Sequence, residues 1–259
     1  MLQYSDKKIL KKIMKFRILL DPLHDLKDKL EILAVRVGIK PAFLIISDPN
    51  SDPSTLELVA KRADLHFKIT GRPPDYFPRK PKVGDNFLKI FNNSRLTKLS
   101  TIWFYKDVQV ELKILESIAG KLNEGHVLGY PECCIKWEEE KSLQAIETLF
   151  QEIEEYITQK YPMFIDYEVK TKDQVYEALI DKIAHDELRF KREKAVTDSM
   201  VKQTDETLKH YPFVPHWACQ SCLSGESKET EKMNNLYKEL AINLNPKFAQ
   251  KIIHLAQES

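Results

Sequence analysis

The chain has 259 residues, of which 42% are hydrophobic, so it is long enough to bury a core in one large domain or two small ones. Lys and Arg number 40 against 39 Asp and Glu, and this balance argues against a strongly basic nucleic-acid-binding protein. No apolar run approaches the roughly 18 residues that a membrane-spanning helix needs, so the sequence predicts a cytoplasmic protein with no membrane partner. Few glycines and abundant Lys, Glu and Ile are typical of thermophile proteins.

Hydrophobic periodicity divides the first part of the chain into helices and strands. Helices are predicted over Ser5–Leu20, Pro22–Val37, Ser54–Ala63 and Val108–Leu122, and strands over Ala42–Ser47, Leu65–Thr70, Asn86–Phe91 and Thr101–Tyr105. The first two strands would be parallel if they are neighbours in the sheet. The proline-rich segment Gly71–Gly84 predicts a loop, which is either a solvated linker or an arm that grips phosphate or an acidic substrate.

The second part of the chain is predicted to be almost entirely helical. Helical periodicity covers Trp137–Gln159, one long segment Thr171–His210, Glu226–Asn243 and a last helix from Pro246 to Ala256. The predicted fold class is therefore α+β or α/β, with a small mixed sheet and flanking helices in residues 1–124 and a mainly helical region in residues 125–259. The two regions are expected to fold together.

All four cysteines of the chain lie in two short clusters within the helical region. Cys133 and Cys134 follow Pro131, and Cys219 and Cys222 form a CxxC motif. Clustered cysteines in a cytoplasmic protein indicate metal or redox chemistry more than structural disulfides. Pro131 favours a first helical turn, so the adjacent pair is expected at a helix N-terminus, where the helix dipole lowers a thiol pKa. Adjacent helical residues point about 100° apart, so both sulfurs reach one centre only in an irregular turn or around a large centre.

Four thiolates fit either a [4Fe–4S] cluster or a tetrahedral zinc ion. His126 and His216 flank the two clusters and offer substitute ligands. The predicted metal ligands are thus Cys133, Cys134, Cys219, Cys222, His216 and His126. An enzyme built on this site would carry out redox or sulfur chemistry, with RNA or a nucleotide as the expected partner. The alternative is a non-catalytic interaction module stapled by zinc or by a disulfide; a cavity beside the cysteines favours the enzyme, and four closed ligands without one favour the module.

Two resemblances bear on this site. The adjacent pair with a later CxxC is similar to the cysteine pattern of the iron–sulfur epoxyqueuosine reductases that lack cobalamin, which implies a cluster and, more weakly, a tRNA substrate. Leu128–Cys134 followed by His216-x-x-Cys219-x-x-Cys222 resembles the prokaryotic family catalogued as domain of unknown function 483, over about residues 126–243. This second resemblance implies a prokaryotic, often archaeal, cytoplasmic protein and no established activity.

Overall fold

The computed structural model describes residues 26–47, 52–96, 99–160, 171–184 and 190–258. The helix predicted over Ser5–Leu20 lies outside these residues. In chain order the described elements are α1 (Leu26–Val37), β1 (Ala42–Ser47), α2 (Ser54–Ala63), β2 (His66–Gly71), α3 (Asp85–Leu96), β3 (Ser100–Tyr105), α4 (Gln109–Ile118), α5 (Glu124–Leu128), α6 (Glu132–Lys160), α7 (Lys172–Ala184), α8 (Lys191–His210), α9 (Gln220–Leu223), α10 (Glu229–Leu244) and α11 (Pro246–Glu258). The predicted fold class is confirmed: a small N-terminal sheet with flanking helices precedes a mainly helical region.

The three described strands form one sheet in the order β1-β3-β2. Both outer strands pair antiparallel with β3, so that Ala42 and His66 each lie opposite Tyr105. The strands β1 and β2 run in the same direction but are separated by β3, so they are not the neighbours that the helix–strand alternation suggested. Trp103 and Phe104 of the central strand are fully buried, as expected for a strand covered on both faces.

The strand predicted over Asn86–Phe91 is wrong, because this segment lies inside helix α3. Its aromatic residues Phe87 and Phe91 are four positions apart, which places both on one face of a helix. Phe87 packs edge-on against Phe150 of α6 and Tyr176 of α7, with ring centroids 5.0 and 5.4 Å away. In so short an apolar run the hydrophobic periodicity does not distinguish a strand from a helix. The contacts with aromatic residues of α6 and α7 stabilise the helix.

The single long helix predicted over Thr171–His210 is also wrong, because Phe190 is extended, with φ −72° and ψ 147°, directly before α8. The start of α8 is capped by Glu152 of α6, whose carboxylate accepts hydrogen bonds from the backbone N–H groups of Arg192 and Glu193 at 2.6 and 3.0 Å. A carboxylate at a helix N-terminus satisfies otherwise unpaired donors and complements the helix dipole. The cap comes from another helix, so the local pattern contains no sign of it.

Helix α4 ends at Ile118, earlier than the predicted Leu122. Gly120 adopts a left-handed conformation with φ +68°, and such a residue commonly terminates a helix. The segment Glu124–Gly125 begins the short helix α5, whose N-cap is Asn123. This early end matters for the site because α5 leads directly into the first cysteine pair.

Two large hydrophobic clusters hold the described elements together. The first joins the sheet and α1 to the C-terminal helices, since Leu30 and Phe104 share it with Tyr237 and Leu240. The second joins α3, α6 and α7. The first cluster thus contains residues from both sides of the predicted boundary at residue 124, and the boundary itself stays a prediction. Among the described residues, no helix is both long enough and apolar enough to cross a lipid bilayer.

Candidate metal centre

The first cysteine pair lies in the opening turn of α6, as the sequence predicted. Pro131 precedes the helix, and its carbonyl oxygen accepts hydrogen bonds from the N–H groups of Cys134 and Ile135 at 2.9 and 3.0 Å. The turn before it closes at Gly129, whose left-handed conformation, φ +75° and ψ 30°, ends α5. Proline at the helix start and glycine at the preceding helix end thus fix the direction in which the two cysteines leave the chain.

The second cysteine pair lies on a segment that is anchored to α8. Gln203 donates a hydrogen bond to the carbonyl oxygen of Ala218, and the N–H of Ala218 donates to Thr207 Oγ1 at 2.9 Å. One short helical turn follows, in which the N–H of Cys222 donates to the carbonyl oxygen of Cys219 at 3.0 Å. This turn directs both thiols of the CxxC motif to the same side.

The four thiols converge although they come from two distant segments. The Sγ atoms of Cys133, Cys134, Cys219 and Cys222 all lie within 4.8 Å of one another. Cys133 Sγ lies 3.6 Å from Cys222 Sγ and 3.9 Å from Cys134 Sγ, and Cys134 Sγ lies 3.7 Å from Cys222 Sγ. All four are free thiols. The four cysteines that the sequence assigned to one site therefore lie within metal-binding distance of one another, and their role as ligands stays a prediction.

The thiols are largely shielded from solvent, which sets their protonation. Burial raises the pKa of Cys133 to about 11 and raises the pKa of Cys134 further. Burial also acts to raise the pKa of Cys222, but hydrogen bonds from Thr230 and Ser227 outweigh it and lower the value to about 7. The expectation that the helix dipole lowers the pKa of the adjacent pair is wrong, because desolvation is the larger effect. A bound cation reverses this balance, since it holds its cysteine ligands as thiolates.

Hydroxyl groups surround the sulfurs and connect them to His216. Thr230 Oγ1 lies 3.4 Å from Cys134 Sγ and 3.2 Å from His216 Nε2. Ser227 Oγ lies 3.7 Å from Cys133 Sγ. Such donors stabilise thiolates and orient them around a metal, which is the role that partners of metal ligands have in known sites.

The two predicted histidines lie outside the group of four sulfurs. His126 is half-exposed, and its Nδ1 lies 3.4 Å from a carboxylate oxygen of Glu132. His216 is buried and stacks on the ring of Tyr130 with centroids 5.0 Å apart. Burial, with a smaller contribution from the charge of Lys40, lowers the pKa of His216 to about 3, so its ring is neutral. The ligand role of both histidines stays a prediction.

A cavity of about 560 Å³ adjoins the cysteine cluster, and Cys134, His216 and Trp217 form part of its wall. Further lining residues come from α1 and from the start of the proline-rich loop, including Arg72 and Tyr76. From the sequence, this loop was predicted to be either a solvated linker or an anion-binding arm. Nothing in the sequence pattern indicated that it lies near the cysteines. Six separate stretches of chain line the cavity, so no single sequence pattern predicted it as a whole. The one indication in the sequence was Arg72 in the proline-rich loop.

The remaining basic residues of the proline-rich loop do not reach the cavity. Arg79 forms an ion pair with Glu147 at 3.1 Å, and Lys80 forms one with Asp85 at 2.7 Å. These contacts attach the loop to α6 and α3. The part of the loop that meets the cavity therefore carries a single basic side chain, that of Arg72.

Comparison of the chain with models of known protein families, with curated proteins and with solved structures finds no match.

Proposed function

We propose that this chain is a metal-binding protein in which Cys133, Cys134, Cys219 and Cys222 hold one metal centre. The observation that carries the proposal is that four free thiols lie within 4.8 Å of one another. Cys134 and Cys219 are 85 residues apart in sequence, so this convergence is a property of the fold and not of a local loop. Four thiolates with intervening hydrogen-bond donors form a complete ligand set for one soft or borderline cation.

The spacing of the sulfurs supports a single tetrahedral ion. A zinc ion with Zn–S bonds of about 2.3 Å places its ligand sulfurs about 3.8 Å apart. The separations among the sulfurs of Cys133, Cys134 and Cys222 are 3.6, 3.7 and 3.9 Å, close to that value, and Cys219 Sγ lies within 4.8 Å of the other three. A four-iron cluster interposes its iron atoms between the ligand sulfurs and needs wider spacing. Zinc is therefore the proposed metal, and the iron–sulfur cluster is the alternative cofactor.

The proposed role of the ion is to build one wall of the adjoining cavity. It joins the first turn of α6 to the segment that contains the CxxC motif. Ile135 and Glu138 of α6 line the cavity, and so do His216 and Trp217 of that segment. A zinc site closed by four thiolates has no open coordination position and contributes directly to folding. The function that follows is that of a zinc-clamped protein with a binding cavity for a small molecule.

A second candidate function follows from the position of Cys134 in the cavity wall. Of the four cysteines, Cys134 alone belongs to the cavity lining, and this proximity favours a redox or sulfur-chemistry enzyme over an interaction module that has no cavity. RNA or a nucleotide is the substrate proposed for that enzyme from the sequence. Membership of the family catalogued as domain of unknown function 483 is a further proposal, supported by the motif around the same cysteines.

Anaerobic purification with elemental analysis and a visible spectrum tests the metal centre. We expect one zinc per chain and no visible absorption, with the metal lost in Cys222→Ser and kept in the control variant Ser224→Ala. Bound iron with broad visible absorption would contradict zinc in favour of a cluster. A chain that stays metal-free when offered zinc, and anaerobically iron and sulfide, would contradict the centre altogether.

A further inference from the structure

We infer that the exposed face of helix α4 is a dimerisation surface, on which a second copy of this chain packs with its own α4 running in the opposite direction. The inference goes beyond the proposed function and does not depend on the metal centre. Two features of α4 carry it: an exposed apolar row with the spacing of a helix–helix contact, and two opposite charges beside that row whose arrangement fits an antiparallel copy.

Helix α4 has two apolar faces, one buried against the sheet and one exposed. Val110 and Ile114 are buried in a cluster with Trp103 of the central strand. Three exposed apolar side chains lie on the opposite face and together form the α4 row: Val108, which is 60% exposed, Leu112, which is 62% exposed, and Leu115, which is 47% exposed. A helix that presents large apolar side chains on both faces has surface left for a partner.

The residues of the α4 row have the spacing of a paired helix. They are separated by four and then three positions, as are the core positions of two helices that pack along each other. Ala119 lies four positions further on, at the end of α4, and is exposed too. Among the described helices, no other carries three large exposed apolar residues. A row this narrow fits one neighbouring helix, whereas a lipid-binding face is wider and has basic flanks.

One flank of the α4 row carries two opposite charges that are available to a partner. Lys113 and Glu116 are exposed, and neither side chain has an ion-pair or hydrogen-bond partner among the described residues. Both lie on the same side of the row, because each residue turns the helix by about 100°. The other flank carries Glu111, which already forms an ion pair with Lys68 of β2 at 2.5 Å.

The charges on the flanks select the orientation of the second copy. Two identical helices that pack antiparallel about a two-fold axis bring the same flank of each helix together. Lys113 of each copy then lies beside Glu116 of the other, so the two-fold axis forms this pair twice. A parallel copy would bring Glu116 to the flank that carries Glu111, where like charges repel. The charge pattern therefore fits an antiparallel pair and disfavours a parallel one.

The size of the α4 row indicates a reversible dimer. Stable interfaces bury about 800 Å² on each partner, and one helix face with three large exposed side chains supplies less than this. We therefore expect a dissociation constant on the order of 10–100 µM.

Sedimentation equilibrium of the full chain at increasing protein concentration measures this dimer. Leu112→Ser should weaken it about a hundredfold, because the two-fold axis removes the contact twice, at about tenfold each. The matched control Leu236→Ser removes an exposed leucine of α10 and should leave the dissociation constant unchanged. Circular dichroism of both variants should match that of the parent chain, since both leucines are exposed.

An exchange of the two flanking charges tests the orientation. Lys113→Glu and Glu116→Lys should each weaken the dimer about tenfold, because like charges then meet twice across the axis. The double variant restores opposite charges and should dimerise as the parent chain does. A recovery of this kind cannot come from misfolding of a variant.

A chain that stays monomeric at every concentration would overturn the inference, and the occupant of the α4 row would then be a different protein. A dimer that Leu112→Ser leaves unchanged would overturn it as well, since the copies would then meet elsewhere. Failure of the double variant to recover would contradict the antiparallel pairing. Elemental analysis of the same samples reports on the metal centre separately, so failure of either proposal leaves the other standing.

Discussion

Replacing Gly129 by alanine tests the turn that delivers the first cysteine pair. Gly129 has φ +75°, and an alanine Cβ there would lie 2.5 Å from Cδ and 3.0 Å from Cγ of Pro41. The proline ring is rigid, so the backbone of one of the two segments must move. Gly38 provides a matched control, because its φ is +80° and a Cβ added there meets no atom within 4 Å.

The two variants separate backbone strain from steric contact. A left-handed conformation costs a residue with a Cβ about 1–2 kcal/mol. The loss of glycine freedom in the unfolded chain offsets about 0.4–1 kcal/mol of that cost. Gly38→Ala should therefore destabilise the protein by about 1 kcal/mol. Gly129→Ala carries the same strain plus overpacking of about 1–3 kcal/mol, so we expect a loss of about 2–4 kcal/mol.

Guanidinium unfolding followed by circular dichroism, with saturating zinc in every sample, measures both free energies. A chromophoric chelator in competition reports zinc affinity, which should fall further in Gly129→Ala because residue 129 lies four positions before Cys133. Equal destabilisation by the two variants would refute the close approach to Pro41. Unchanged zinc affinity in a destabilised Gly129→Ala protein would show that this turn does not position the cysteines.

Two further predictions concern buried groups near the cavity. Lys40→Met leaves Glu31 buried without its ion-pair partner, so urea unfolding should show a loss of about 3–5 kcal/mol. The double variant with Glu31→Leu should recover most of that loss, whereas additive losses would contradict the pairing. The pKa of His216 is lowered to about 3 by burial, so between pH 6.5 and 3 the unfolded chain binds a proton that the folded chain excludes. Stability therefore falls as the pH falls, by up to about 4–5 kcal/mol. His216→Phe should flatten this dependence in metal-free protein, and parallel curves would contradict a neutral buried ring.

The elements that the sequence predicted correctly are those whose signal is local. Strand β1 and helix α2 have the predicted bounds, since an apolar run and an amphipathic run identify them without reference to the rest of the chain. The failures depend on distant partners. Aromatic contacts with α6 and α7 favour a helix over a strand at α3. The carboxylate of Glu152 caps the start of α8 and so separates it from α7.

The same distinction applies to the site. Thiol chemistry depends on residue type, so two cysteine clusters were sufficient to predict that the four sulfurs lie together. Their protonation was not predictable, because burial of Cys133 and Cys134 depends on the segment that packs over them. The cavity was not predictable either, since its wall joins α1, the proline-rich loop and the cysteine segments. Residue spacing along the chain carries no information on such an enclosure.

The cavity and the cysteine cluster share structural elements, and this sharing couples them. His216 and Trp217 lie between two anchors: the hydrogen bonds from α8 to Ala218, and the cysteines of the CxxC motif. The first anchor consists of hydrogen bonds within the protein, so it holds the segment in place independently of a cation, which reduces the entropy cost of binding one. The second anchor fixes the same segment from its other end. A ligand that contacts His216 would therefore stabilise the arrangement that the proposed metal also requires, and by linkage that metal would increase the affinity of the cavity for the ligand by the same factor.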